Sequence, residues 1–428
     1  MNQHSRRTFL RSLALSAPAL GGLAPRLLRA AESAKDAELP PVRQLTKAPK
    51  LHWFGYYDKF QFSPDDRYIL GNQVDFEHRT PEPGDVIQVG MIDTHNGDEW
   101  IELGDTRAWC WQQGCMLQWL PGSESEVIWN DRDGDHFVSH ILDVKSKKKR
   151  TLPHPVYNVS YDGKTAIALS FSRLHTTRPG YGYAGVPDTY NDVTAPHDTG
   201  LWRIDMQSGV QKLLFSVADA AAIAYTGNPR MEFNGNSKHR FEHLLFNPRG
   251  ERFFFLHRWE LPKGGFGTRA FTINVDGTGP YILDPFGYTS HFIWRDPKHV
   301  MAWSWHPSHK NNFYLYTDQT DIVEPVGTGV MTENGHNTYV PGTNNQLVLC
   351  DTYPDKERLQ HPYLYSIPSN RKLPLGHFRS PSPYDGEFRC DTHPRNSRSG
   401  KFVCIDSPHN GGRQMYLIDI GSLTPGAA

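Results

Sequence analysis

An all-β chain folded as a seven-bladed β-propeller is the architecture this sequence predicts, and three observations predict it. One strand–turn–strand pattern recurs seven times. Most repeat starts lie about 40 to 55 residues apart, the size of a four-stranded blade. The turns carry Ser, Pro, Asp, Asn and Gly, which supply preset or positive φ, and the flanking runs are β-branched or aromatic. Closing such units into a ring removes long exposed sheet edges.

The repeats run in order along the 428 residues. The first is Phe62-Ser-Pro-Asp-Asp-Arg-Tyr-Ile-Leu and the second Leu120-Pro-Gly-Ser-Glu-Ser-Glu-Val-Ile-Trp. The third is Val159-Ser-Tyr-Asp-Gly-Lys-Thr-Ala-Ile-Ala-Leu and the fourth Phe246-Asn-Pro-Arg-Gly-Glu-Arg-Phe-Phe-Phe. Trp294-Arg-Asp-Pro-Lys-His-Val, Val340-Pro-Gly-Thr-Asn-Asn-Gln-Leu and His393-Pro-Arg-Asn-Ser-Arg-Ser-Gly-Lys complete the set. Second hairpins follow most of them, as at Val89-Gly-Met-Ile-Asp-Thr-His-Asn-Gly and Gln414-Met-Tyr-Leu-Ile-Asp-Ile-Gly. The gap between the third and fourth repeats is longer and predicts an insertion over residues 172–240. It holds a Gly/Pro/Tyr/His-rich loop and an Ala-rich, helical stretch near 216–225. No second domain is visible. The propeller is expected over residues 51–428, and residues 32–50 read as a linker or as the strand that closes the ring.

Residues 1–31 resemble a twin-arginine export signal: Ser5-Arg6-Arg7-Thr8-Phe9-Leu10, then an apolar stretch, then Ala30-Ala31. A periplasmic or secreted location is expected. The stretch is too short to span a bilayer, and no later segment is long and apolar enough, so no membrane span is expected. Those residues hold five of the 45 basic residues and no acid, which leaves 40 basic against 46 acidic residues, a net of −6. Such a chain offers no global basic field for nucleic acid, and an anionic substrate needs local Arg, Lys or metal. The five Cys show no disulfide framework, so at least one thiol is left over. A monomer is expected.

Candidate chemistry lies in polar residues that the repeat does not require. His291, His336, Cys390 and His393 share one position, just before the first strand of their repeats, so four side chains from three repeats converge near the ring axis. Imidazole and thiolate suit a divalent metal such as zinc. His257-Arg258-Trp259 ends a strongly apolar strand. Alternation puts His257 and Arg258 on opposite faces, and a guanidinium holds a carboxylate through two parallel hydrogen bonds. His243 lies in the preceding strand of that blade. Arg178 and Tyr183, with His175, belong to the long loop. Trp111, Gln113 and Asn130 lie near two strand ends and could line a sugar site. Trp111 is equally at home in the core, and Asn130 in a turn.

At these residues the chain resembles seven-bladed propeller polysaccharide lyases, the oligogalacturonate and ulvan lyases. The resemblance spans about residues 51–420. It rests on the blade turns, the Phe-Leu-His257-Arg258-Trp strand, Gly335-His336 and Cys390-x-x-His393. It implies β-elimination on an acidic polysaccharide or oligosaccharide. Arg258 would neutralise the uronate carboxylate, and His243 would act as base, with Tyr183 or His175 as alternates. It also implies a divalent metal, zinc or manganese, on the axis. Here Cys390 stands for the family's Gln and Arg395 for one His, a departure that favours a structural metal. The competing expectation is a non-catalytic, TolB-like propeller that binds a glycan or protein.

Overall fold

Seven four-stranded antiparallel sheets succeed one another in the computed structural model, which describes residues 39–424. The chain is a seven-bladed β-propeller. The first blade is built from Leu51–Trp53, Tyr68–Val74, Ile87–Asp93 and Glu99–Thr106. The second opens at Gln118–Trp119, the third at Asn158–Val159 and the fourth at His239–Phe246. The fifth opens at Phe292–Asp296, the sixth at Thr338–Tyr339 and the seventh at Arg395–Asn396.

The repeat turns behave as their residues dictate. Asp66, Gly163, Gly250 and Gly400 sit at φ 62°, 72°, 71° and 70°, the left-handed region that Gly, Asn and Asp tolerate best. The side chains opening the turns take up backbone donors: Ser63 accepts from the Tyr68 N–H at 2.8 Å and Ser160 from Thr165 at 3.0 Å. Between blades the core is apolar. Trp53, Trp109, Trp111, Trp119 and Trp129 fill the first seam, and Phe254 of the fourth blade stacks on Phe292 of the fifth at 3.6 Å.

Two expectations are refined. Of the two readings of residues 32–50, linker or closing strand, Val42–Gln44 takes the second: it pairs with Gln414–Asp419, Val42 opposite Ile418, and so supplies the outer strand of the seventh blade. The insertion over 172–240 is not continuous. Strands Gly200–Asp205 and Gln211–Ser216 of the third blade run through its middle. One excursion carries helix Phe171–Thr177, and a second carries helix Val217–Ala222. The export-signal residues lie outside the described residues. All five cysteines are free and buried. No helix among the described residues is long and apolar enough to cross a membrane.

Candidate active site

Segments that lead into the first strands meet at one end of the hub. The imidazoles of His291 and His336 lie 4.1 Å apart by ring centroid, and those of His336 and His393 4.2 Å apart. Tyr56 and Tyr57, from the irregular run after Leu51–Trp53, stand against them. Tyr56 stacks on His243 at 5.0 Å and meets His393 at 5.2 Å, while Tyr57 meets His336 at 5.2 Å.

Asp351 orients His336. Its carboxylate lies 2.9 Å from His336 Nδ1 and accepts from the His336 backbone N–H at 2.7 Å and the Thr392 hydroxyl at 2.5 Å. That places the proton on Nδ1 and leaves the Nε2 lone pair free. His336 Nε2, His393 Nε2 and Asp391 Oδ1 are all buried with no hydrogen-bond partner. The ligand atoms of His336, Asp391 and His393 lie within 4.8 Å of one another. Three orphaned polar atoms on clustered residues cost free energy unless something binds them. Two imidazoles and a carboxylate fit a divalent metal such as zinc or manganese. His291 flanks the group, its Nδ1 2.9 Å from Asn334 Oδ1 and its Nε2 3.4 Å from the Tyr353 hydroxyl. Burial, then the neighbouring His336, pushes His291 and His393 well below the usual histidine range, which keeps both in the neutral, ligating form.

Cys390 is not in this group. The clustered ligand atoms come from His336, Asp391 and His393, and the Cys390 thiol is not among them. Cys390 instead feels Arg413, Asp406 and Glu77, and burial pushes its thiol up to about 12.

Beside the histidines opens a cavity of about 320 Å3, lined by His243, Arg258, Arg178, Tyr181, His291 and Tyr353 among others. A β-bulge builds its reactive corner. The register of His239–Phe246 against Arg252–Glu260 shifts between Glu242 and Leu245, and His243 takes a left-handed φ of 55°. Plain alternation would separate Glu242 from His243; the bulge lets both reach the cavity side. Gln113 Nε2 and the Tyr157 hydroxyl each approach His243 Nδ1 at 3.3 Å, and Nε2 lies 3.4 Å from Glu242. Burial pushes His243 down to about 4 against the opposing pull of Glu242, so it is neutral at neutral pH.

Arginines surround this corner. The guanidiniums of Arg178, Arg240 and Arg258 lie 4.5, 5.3 and 4.7 Å from the Phe266 ring centroid. Glu242 accepts from Arg240 Nε at 2.6 Å and from Arg258 Nη1. Burial alone would raise the Glu242 carboxyl, but Arg258 and Arg240 outweigh it and hold it well below the usual carboxylate range. Three cations about one carboxylate leave a positive excess for an incoming anion. A second cavity of about 540 Å3 shares Arg178, Tyr181 and Phe266 and adds Arg240 and Arg389. Arg389 donates to Asp391 at 2.7 Å and to the Tyr181 hydroxyl, tying the arginines to the histidine group.

Several expected site residues are placed elsewhere. Tyr183 is core, stacked on Phe171 at 4.2 Å with its hydroxyl on Asn130. His175 lies on helix Phe171–Thr177 and lines neither cavity. Asn130 is fully buried and saturated: it donates to Val156 O and Tyr183, and accepts from Ser139 and Val156 N. Trp111 packs on Trp53 and Trp109 with its N–H on Arg79 O. Gln113 is buried behind His243 rather than in the cavity. Sequence reasoning missed Tyr181, Arg240, Glu242, Arg389 and Asp391. The signal for two of them was there: Arg240 and Glu242 are two apart on one strand, and such pairs share a face.

No protein-family profile and no curated protein sequence matches the chain. Solved structures do. An oligogalacturonate lyase from Vibrio parahaemolyticus aligns with TM-score 0.63 at 13% identity, covering 91% of this chain and 96% of its own. An oligogalacturonate lyase in complex with manganese aligns with TM-score 0.63 at 15% identity, covering 90% and 94%. At such identity the likeness shows the propeller fold.

Proposed function

We propose that this protein is a polysaccharide lyase that cleaves uronate-containing saccharides by β-elimination outside the cytoplasm. The observation that carries the reading is the corner where Arg178, Arg240 and Arg258 flank a buried, neutral His243. Its support is threefold. The cationic excess suits a carboxylate, the imidazole is in the neutral form that accepts a proton, and the aligned oligogalacturonate lyases share the fold. The export-type N-terminus supports the location.

The chemistry follows from where charge develops. His243 takes the proton from the carbon next to the uronate carboxylate. The electron pair moves into that carboxylate, held by Arg258, and then forms the carbon–carbon double bond as the bond to the leaving sugar oxygen breaks. The imidazolium so formed is stabilised by Glu242, 3.4 Å away. Tyr181, edge-on to His243 at 5.7 Å and lining the same cavity, offers its hydroxyl proton to the leaving oxygen. A divalent metal held by His336, Asp391 and His393 would supply Lewis acidity toward a substrate carboxylate.

The test is ultraviolet absorbance of unsaturated uronate ends, with metal-loaded protein over pectic, ulvan-like and glycosaminoglycan substrates. Absorbance that rises on one of them, and fails with His243→Asn, supports the reading. Binding without product across the whole panel would point instead to a non-catalytic glycan receptor.

A further inference from the structure

The other end of the hub holds a further cavity, of about 350 Å3. Its lining comes from residues at the far ends of the first strands. Trp294 lies in Phe292–Asp296, Tyr339 ends Thr338–Tyr339, and Tyr161 follows Asn158–Val159. The histidines described above precede these same strands, so the two cavities open at opposite mouths of the ring. Lys59 also lines the lower cavity, paired with Asp58 at 2.8 Å, both side chains at most 5% exposed. That pair leaves Lys59 no spare charge for a ligand.

One cation in the lower cavity keeps free donors. The Arg398 guanidinium lies flat on Phe60, 3.5 Å from the ring centroid. Its Nε donates to Phe62 O at 3.2 Å, but its two terminal nitrogens have no protein acceptor among the described residues. The carboxylate of nearby Asp66 is taken by the backbone N–H groups of Arg398 and Ser399, at 2.6 and 3.0 Å. Arg395, the other guanidinium here, is paired with Asp406 at 2.8 Å. Tyr161 meets Phe60 edge-on at 5.7 Å yet is 44% exposed, a bare aromatic face at the rim. Thr338, Asn396 and Ser397 add polar atoms. A forked cation with free N–H groups selects a carboxylate, and flat aromatic faces beside polar side chains suit a sugar ring.

We infer that this lower mouth is a second binding site, for a single carboxylated sugar ring, with Arg398 on the carboxylate and Tyr161 against the ring. It stands on this cavity alone and does not depend on the activity proposed for the upper one.

The test uses the intact chain and D-glucuronate. Crystals soaked in the sugar are expected to show it at the lower mouth with its carboxylate on Arg398. Calorimetry is expected to show that binding event weakened about tenfold or more in Arg398→Met, as for loss of a charge-assisted pair. Tyr161→Ala, an exposed substitution that leaves folding intact, is expected to weaken it as well. Sugar found only at the upper cavity, affinity unchanged in both variants, or equal affinity for D-glucose would overturn the inference. A failed lyase assay leaves this result untouched, so the two readings fall separately.

Discussion

His243 illustrates how much a single backbone angle decides. At φ 55° a branched side chain is strained, whereas Asn tolerates the conformation. His243→Asn is therefore expected to stay folded, and His243→Val to be less stable than His243→Asn by about 1 kcal/mol in thermal or denaturant unfolding. Both are expected to lower turnover of a uronate substrate by about 100-fold or more, the contribution of a positioned base. The pH profile has a definite sign. The imidazole accepts a proton only when neutral, and burial sets its value at about 4. Turnover per unit of free enzyme should be lost as pH falls through about 4 and should not change near 6.5, where an exposed histidine titrates. A limb near 6.5 would show that His243 is not the base. The metal makes a second demand on single residues. His336→Ala and Asp391→Ala are expected to cut the metal-to-protein ratio in elemental analysis, whereas Cys390→Ser is expected to leave it unchanged. The shared position of His291, His336 and His393 was legible in the sequence because the repeat fixes it. Cys390 misled because its residue type suits a metal, while nothing in an irregular segment with His393 at φ 38° marks which side chains turn toward the hub.

Whole strands explain why the corner is rigid. Arg252–Glu260 is buried along nearly its whole length, with Phe253, Phe254, Phe255 and Leu256 all at 0% exposure. That apolar run was plain in the sequence, as were the turns, since Gly, Pro and Asp punctuate every blade. The bulge before Leu245 was not, because nothing in a run of eight buried residues marks an extra one. The next strand shows how close the fit is. Gly267 lies against the indole of Trp259, whose N–H donates to Met231 O at 2.8 Å and cannot swing away without losing that bond. A Cβ at position 267 would overlap the ring. Gly267→Ala is thus expected to cost about 1–3 kcal/mol by overpacking. It should also disturb the cavity, because Phe266, the platform for three arginines, is the adjacent residue. An unchanged unfolding midpoint would mean the indole has room to move.

At the scale of the ring, stability depends on seams between blades, and one seam joins the two ends of the described chain. Val42–Gln44 pairs with Gln414–Asp419, and His52 of the first blade bridges the same junction. The need for a closing strand was legible from the repeat count; its source was not, since a three-residue strand carries almost no pattern. His52 Nδ1 lies 3.0 Å from Gln414 Oε1, and its Nε2 lies 2.8 Å from Gln73 Nε2. Nδ1 therefore donates and Nε2 accepts, an arrangement that fits only the neutral ring. Burial pushes His52 down to about 4, and His239 of the fourth blade likewise to about 4. His257, touching His239 at 2.9 Å, is held well below the usual range by burial and by Arg269. In the unfolded chain His52 and His239 bind protons near 6.5, whereas in the folded ring they refuse them until about 4. Stability is full above about 6.5 and should be lost as pH falls from there toward 4, because the unfolded state then holds more protons. Near pH 5, His52 and His239 alone should make unfolding take up about two protons, read as the slope of unfolding free energy against pH. His52→Asn should remove about one of them while His239 keeps the other. A slope near zero between pH 6 and 5 would mean that these rings are already charged in the folded state, and that the seam is held by something other than a neutral imidazole between two amides.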